Sequence, residues 1–278
     1  MPHSATSMAR ASVRWPFRPR DVFYRVTEPD HRLAVIHSLP GMLVWPILLI
    51  AIAYGFQFAI LSAWIGLGGF DLPVNPMTAS FAAIIASYAC FALILWHQFK
   101  QSGIHRGAFS IFPLRMSEIL AGGLILAFMV LAGGPLTRIL HDLAMADPSL
   151  TLSGGAELQD VTNVDDFSQS GASLWAVIAL TLIAAPIVEE VLYRGWMLPM
   201  MIARGVPAVF AIILSAGAFG LLHITQGLGV MISTTLLGLA LGLARVMTGR
   251  VAAPVLGHVA NNVWAIFVAP MLMQAGPG

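Results

Sequence analysis

At 278 residues, of which 58% are hydrophobic and only 10% charged, this chain departs from soluble globular domains, which run at roughly a quarter charged residues. A mean hydropathy of +0.83 fits a surface that faces lipid, and a net charge of +1 gives no basis for a nucleic-acid partner. The single cysteine, Cys90, lies in an apolar run and rules out an intrachain disulfide.

From the N-terminus, the first forty residues carry arginines but no apolar core of signal-peptide type. Residues 1–38 read as a basic cytoplasmic segment, and the first apolar run is expected to serve as an uncleaved insertion signal. Crossing the hydrocarbon core takes about 20 apolar residues in a helix. Seven such runs follow, at 40–67, 77–97, 115–136, 173–200, 207–226, 229–246 and 252–273. The expected fold is all-α, a polytopic bundle of about seven transmembrane helices with its active site inside the bundle. Its parts are the first three spans (39–140), an acidic external loop (141–171) and a motif-bearing helical region (172–278). Gly227 and Gly229 mark one tight turn of that region and Thr248-Gly249-Arg250 another.

Loop charge supplies an orientation. Arg10, Arg14, Arg18, Arg20, Arg25 and Arg32 precede the first span, and Lys100, Arg106 and Arg115 lie between the second and third. Arg204 follows the fourth, and Arg245 and Arg250 follow the sixth. The alternate connections hold Asp71, then Asp142, Asp147, Glu157, Asp160, Asp165 and Asp166, with Arg138 alone opposing them. Basic loops stay inside, so the N-terminus is expected in the cytoplasm, in an integral protein of a bacterial inner membrane.

Beyond residue 171 the only carboxylates are the adjacent Glu189 and Glu190, set in an apolar helix. The same stretch holds two histidines, His223 and His258, and two asparagines, Asn261 and Asn262. A charge at mid-membrane costs about 2.5–3.5 kcal/mol on insertion scales, so ionisable residues there suggest function. Neighbouring helical residues point about 100° apart, which sends the two glutamates to different faces. Glu190 and Arg194 have the favourable i, i+4 order, either as a buried ion pair or as side chains snorkelling to the interface. Glu189 has no cation at that spacing and is the free carboxylate. Counted from a turn near Arg204–Pro207, Glu189 and His223 come to matching depths in a helical hairpin. His258 and Asn262, four apart, share a face, while Asn261 points elsewhere. By the same counting His258 is shallower than Glu189. Either the fourth helix projects past the bilayer, or a helix is broken, with Pro199 a possible kink.

Glu-Glu-x-x-x-Arg (Glu189, Glu190, Arg194), Phe-x-x-x-His (Phe219, His223) and His-x-x-x-Asn (His258, Asn262) on successive membrane helices resemble the signature of one family. It is the CAAX protease and bacteriocin-processing family, which includes the Ras-converting CAAX endopeptidase and Abi-type proteins. The resemblance covers roughly 172–270. It implies an intramembrane glutamic endopeptidase in which Glu189 and His223 activate a water, and His258 and Asn262 donate to the oxyanion. Glu190, Arg194 and Phe219 are then supporting residues. The implied partners are the lipid bilayer and a peptide or membrane-protein substrate, with no cofactor. A zinc-dependent membrane metalloprotease is the nearest alternative, although the chain has no His-Glu-x-x-His. A non-catalytic immunity or assembly factor with the same fold is another. A proton-coupled transporter would want more polar residues in the first three spans.

Overall fold

In a computed structural model of the protein, residues 21–68, 76–146 and 173–274 are described. Arg10, Arg14, Arg18, Arg20, Asp71 and the acidic stretch from Asp147 to 171 lie outside the described residues. The rest is helical: α1 (Asp21–Arg25), α2 (Leu39–Gly66), α3 (Pro76–Ser102) and α4 (His105–Ala108). Then come α5, which runs from Met116 to Ala146 through a π-helical turn at Met129–Gly133, and α6 (Leu174–Ala203). The last three are α7 (Ala208–Leu221), α8 (Leu228–Thr248) and α9, which starts at Ala252 and reaches Gln274 through a π turn at Trp264–Val268. Six of these helices (α2, α3, α5, α6, α8 and α9) are long and apolar enough to cross a membrane. The protein is a polytopic membrane helix bundle.

One predicted span needs correction. The fifth run, read as 207–226, is helical only over the 14 residues of α7, about 21 Å at 1.5 Å per residue and short of a hydrocarbon core about 30 Å thick. Beyond Leu221 the chain tightens into a turn, a short 3₁₀ segment at Ile224–Gln226, and Gly227 at φ 103°. Hydropathy does not separate this turn from helix because Leu221, Leu222 and Ile224 are as apolar as the helix before them. His223 therefore stands in the turn after α7, not within a span.

Helix α6 is the hub. It contacts α1, α3, α4, α7, α8 and α9, and residues 188–201 are buried without interruption. A helix apolar on every side belongs at the centre of a bundle, and α6 fits that place because Glu189, Glu190 and Arg194 each find a partner within the protein. Its close neighbours come in over glycine. The Ala108 carbonyl of α4 occupies the space a side chain at Gly195 would need, and Ala216 and the Arg194 guanidinium crowd Gly238 of α8. Small residues allow such approach between membrane helices.

At one end of the bundle the arginine-bearing connections are tied together. Arg204 donates from Nε to the His37 carbonyl (2.7 Å) and from Nη2 to that of Ala34 (3.2 Å). Arg250 donates to the Pro113 carbonyl at 2.7 Å. Just before α2, Trp196 Nε1 donates to His37 Nδ1 (2.8 Å), so the His37 proton is on Nε2 and is donated to Ser102 Oγ (2.9 Å). The Ser102 hydroxyl passes the chain on to the Gln98 carbonyl.

His37 is 1% exposed. Burial, then the nearby charges of His31 and Arg204, lowers its pKa from 6.5 to about 4. Between those values the unfolded chain binds a proton that the folded chain refuses, so stability falls as pH falls. From pH 6.5 to 5 the loss should be roughly 2 kcal/mol. Thermal melting in detergent checks this: wild type should soften across that window, and His37→Gln should start lower but stay flat. Parallel pH slopes in the two proteins would remove His37 as the cause.

Candidate active site

The Glu-Glu motif lies where α6 departs from regular α-helix on both sides. Five-residue turns cover Ala179–Ala184 and Val191–Met197, with a short α-helical stretch, Ala185–Glu190, between them. Such π turns recur at functional sites. Pro186 has no N–H to offer the carbonyl of residue 181 in a five-residue turn, and Asn262 takes up that role: its Nδ2 donates to Thr181 O at 2.8 Å. An Asn262 amide carries two donors, so this bond leaves the other N–H for further use.

Glu190 and Arg194 are both fully buried, with Arg194 Nη1 3.0 Å from Glu190 Oε1. Of the two positions open from sequence, snorkelling at the interface is therefore ruled out. Arg194 Nη2 also donates to the Gly238 carbonyl at 3.0 Å. Helix α9 brings His258 to the same carboxylate oxygen, Nδ1 to Glu190 Oε1 at 2.9 Å. This settles the depth of His258. It lies only about 10 Å along its helix from Val251, whereas Glu190 is some 20 Å from Arg204, so α6 extends past the start of α9. There its end meets α1 and the Ala34–His37 turn.

Among the described residues Glu189 forms no ion pair, but it has a partner. The Tyr88 hydroxyl of α3 donates to Glu189 Oε1 at 2.6 Å. Sequence reading missed Tyr88, which lies 101 residues away. The available signal was a phenol in an apolar span, where its hydroxyl needs an acceptor. His223, half-buried, has Nδ1 3.1 Å from the Phe219 carbonyl. A carbonyl only accepts, so the proton is on Nδ1 and the Nε2 lone pair is available. Glu189 and His223 share no direct hydrogen bond.

Phe219, fully buried, joins the motifs. Its ring lies 5.5 Å from that of Tyr193, 5.2 Å from His223 and 5.6 Å from His258, and the Arg194 guanidinium is 4.6 Å from its centre. The three motifs, separated in sequence, thus meet around one aromatic ring. Among the described residues, no three His, Cys, Asp or Glu side chains are placed to hold a metal ion.

The fold and this cluster define a class: polytopic membrane proteins with paired carboxylates and a histidine buried within a helix bundle. Residues 171–264, about a third of the chain, match the family model described as type II CAAX prenyl endopeptidase, Rce1-like. That is the family the three motifs resemble, and all seven motif residues fall inside the match. Helices α1 to α5, and with them Tyr88, fall outside it. No curated protein and no solved structure matches the chain.

Proposed function

We propose that this protein is an intramembrane glutamic endopeptidase that hydrolyses peptide bonds in a membrane-associated or peptide substrate. The observation that carries the reading is the gathering of His223, His258 and the Glu190–Arg194 pair around Phe219, in the segment that matches a protease family. Glu189 and the Nε2 lone pair of His223 hold a water between them. Glu189 takes the water's proton as the oxygen attacks the carbonyl carbon. The oxyanion accepts hydrogen bonds from the second Asn262 N–H and from His258 Nε2. To donate there His258 must carry both protons, and the Glu190 carboxylate on Nδ1 balances that charge. The proton on Glu189 then passes to the leaving amine.

Tyr88 is a positioning residue in this scheme. Its bond to Oε1 fixes the carboxylate and leaves Oε2 to meet the water. The donor set supports a metal-free mechanism, since the oxygen shared by Arg194 and His258 already faces a guanidinium. Comparing the membrane peptides of cells carrying wild type and Glu189→Ala should reveal substrates that accumulate uncut. Identical peptide populations, with both proteins expressed, would count against proteolysis.

The N-terminus is placed in the cytoplasm by the positive-inside pattern. The structure supports this by joining the connections at 32–38, 101–115, 204 and 250 at one end. A reporter fused after Arg204 should read cytoplasmic, and an external signal there would invert the assignment.

A further inference from the structure

A cleft of about 540 Å³ opens at the arginine-rich end, away from the Glu189 site. Trp96, His105, Arg106, Arg115, Arg245 and Arg250 line it, and among the described residues no acidic side chain does. Glu118, which contacts two of these arginines, is already committed. Its Oε1 is 2.9 Å from Arg250 Nη1, and its Oε2 accepts the backbone N–H of Arg115 at 2.8 Å. Arg106 and Arg115 thus bring two guanidinium groups to the cleft beyond the one that Glu118 pairs. Arg245 forms the buried wall and donates from Nε to the Arg194 carbonyl at 2.7 Å, whereas Arg106 and Arg115 are exposed at the mouth. Among the described residues His105 Nδ1 is buried without a hydrogen-bond partner.

The surface beside the cleft is apolar. Phe112 and Leu114 are exposed on the loop leading into α5. Met116, Leu120, Leu124 and Phe128 then follow at four-residue intervals, all exposed on one face of α5. This stripe starts at Arg115 and runs about 18 Å along the helix. A soluble anion would have no use for it. A lipid would place its acyl chains there and its headgroup among the arginines.

We infer that the cleft binds the phosphate of an anionic membrane phospholipid, with its acyl chains along α5. Basic pockets between membrane helices at the cytoplasmic side bind such headgroups. Because Arg245 touches the backbone of Arg194, the lipid sits one hydrogen bond from the helix that carries the Glu-Glu motif.

The test uses native mass spectrometry of the purified full chain with dioleoyl phosphatidylglycerol and with dioleoyl phosphatidylcholine. Wild type should retain the first and not the second. The double variant Arg106→Gln/Arg115→Gln changes exposed side chains only. It should bind phosphatidylglycerol about 30-fold more weakly, from roughly fivefold per arginine. If the double variant expresses poorly, Arg106→Gln alone should show the fivefold loss. Thermal melting with inorganic phosphate separates the two sources of the group: protection equal to that by phosphatidylglycerol would make this a free-anion site and overturn the lipid assignment. Equal retention of the two lipids, or unchanged affinity in the variants, would also overturn it.

Discussion

Glu189→Gln should lower peptide cleavage by the 10²–10⁴-fold typical of a lost general base, while folded yield stays near wild type. The amide keeps the shape of the side chain and can still accept the Tyr88 hydroxyl, so the fold loses little. It has no basic oxygen to take a proton from water, so the chemistry stops. Tyr88→Phe removes only the bond that orients Oε1. A hydrogen bond to a charged group is worth roughly 1.5–3 kcal/mol, so kcat should fall about tenfold or more with KM nearly unchanged. Asn262→Ala should cost about 10²–10³-fold if its free N–H meets the oxyanion, with some loss of stability because Thr181 O loses its donor. Asn261→Ala, on a different helical face, should cost much less and serves as the control. Chelators should leave wild type active. Full cleavage by Glu189→Gln would end the glutamic reading, and zinc-restored activity in a chelated enzyme would favour the metal-dependent alternative.

The bundle was legible because hydropathy and helix length answer to the same constraint, the thickness of the membrane. Each of the seven apolar runs contains a helix, and the failure at α7 is instructive. Spacing signals for turns rest on glycine and polar residues, and between Gly220 and Thr225 the chain offers Leu, Leu and Ile around His223. The Glu190–Arg194 pair was legible from i, i+4 spacing, even though the helix loosens into five-residue turns directly after Glu190. Contacts between distant helices left weaker traces. Tyr88 meets Glu189 across 101 residues, with no local pattern to announce it. The sequence grouped His258 with Asn262 because they share a helical face. Their bonds diverge, His258 to Glu190 and Asn262 to the Thr181 carbonyl. Both acceptors lie on α6, so one face of α9 supports two places on the same broken helix.

Arg194→Ala should lower folded yield sharply, by an amount equivalent to about 3–5 kcal/mol, because it strands a buried charge. The structure makes the cost larger than the loss of one ion pair. Arg194 also satisfies the Gly238 carbonyl and packs over Phe219, the ring on which both histidines rest. Among the described residues Glu190 Oε2 already lacks a hydrogen-bond partner, so without Arg194 the carboxylate would depend on His258. The double change Glu190→Gln with Arg194→Met removes both charges and keeps most of the volume, and it should recover part of the yield. It should not recover cleavage, because a neutral amide cannot balance the His258 imidazolium that donates to the oxyanion. Size-exclusion profiles and melting temperatures in detergent report the first effect, and peptide hydrolysis reports the second. A double variant that folds and cleaves like wild type would reduce Glu190 to a purely structural role and free His258 from it. Wild-type stability of Arg194→Ala would mean that the guanidinium contributes nothing where it is buried.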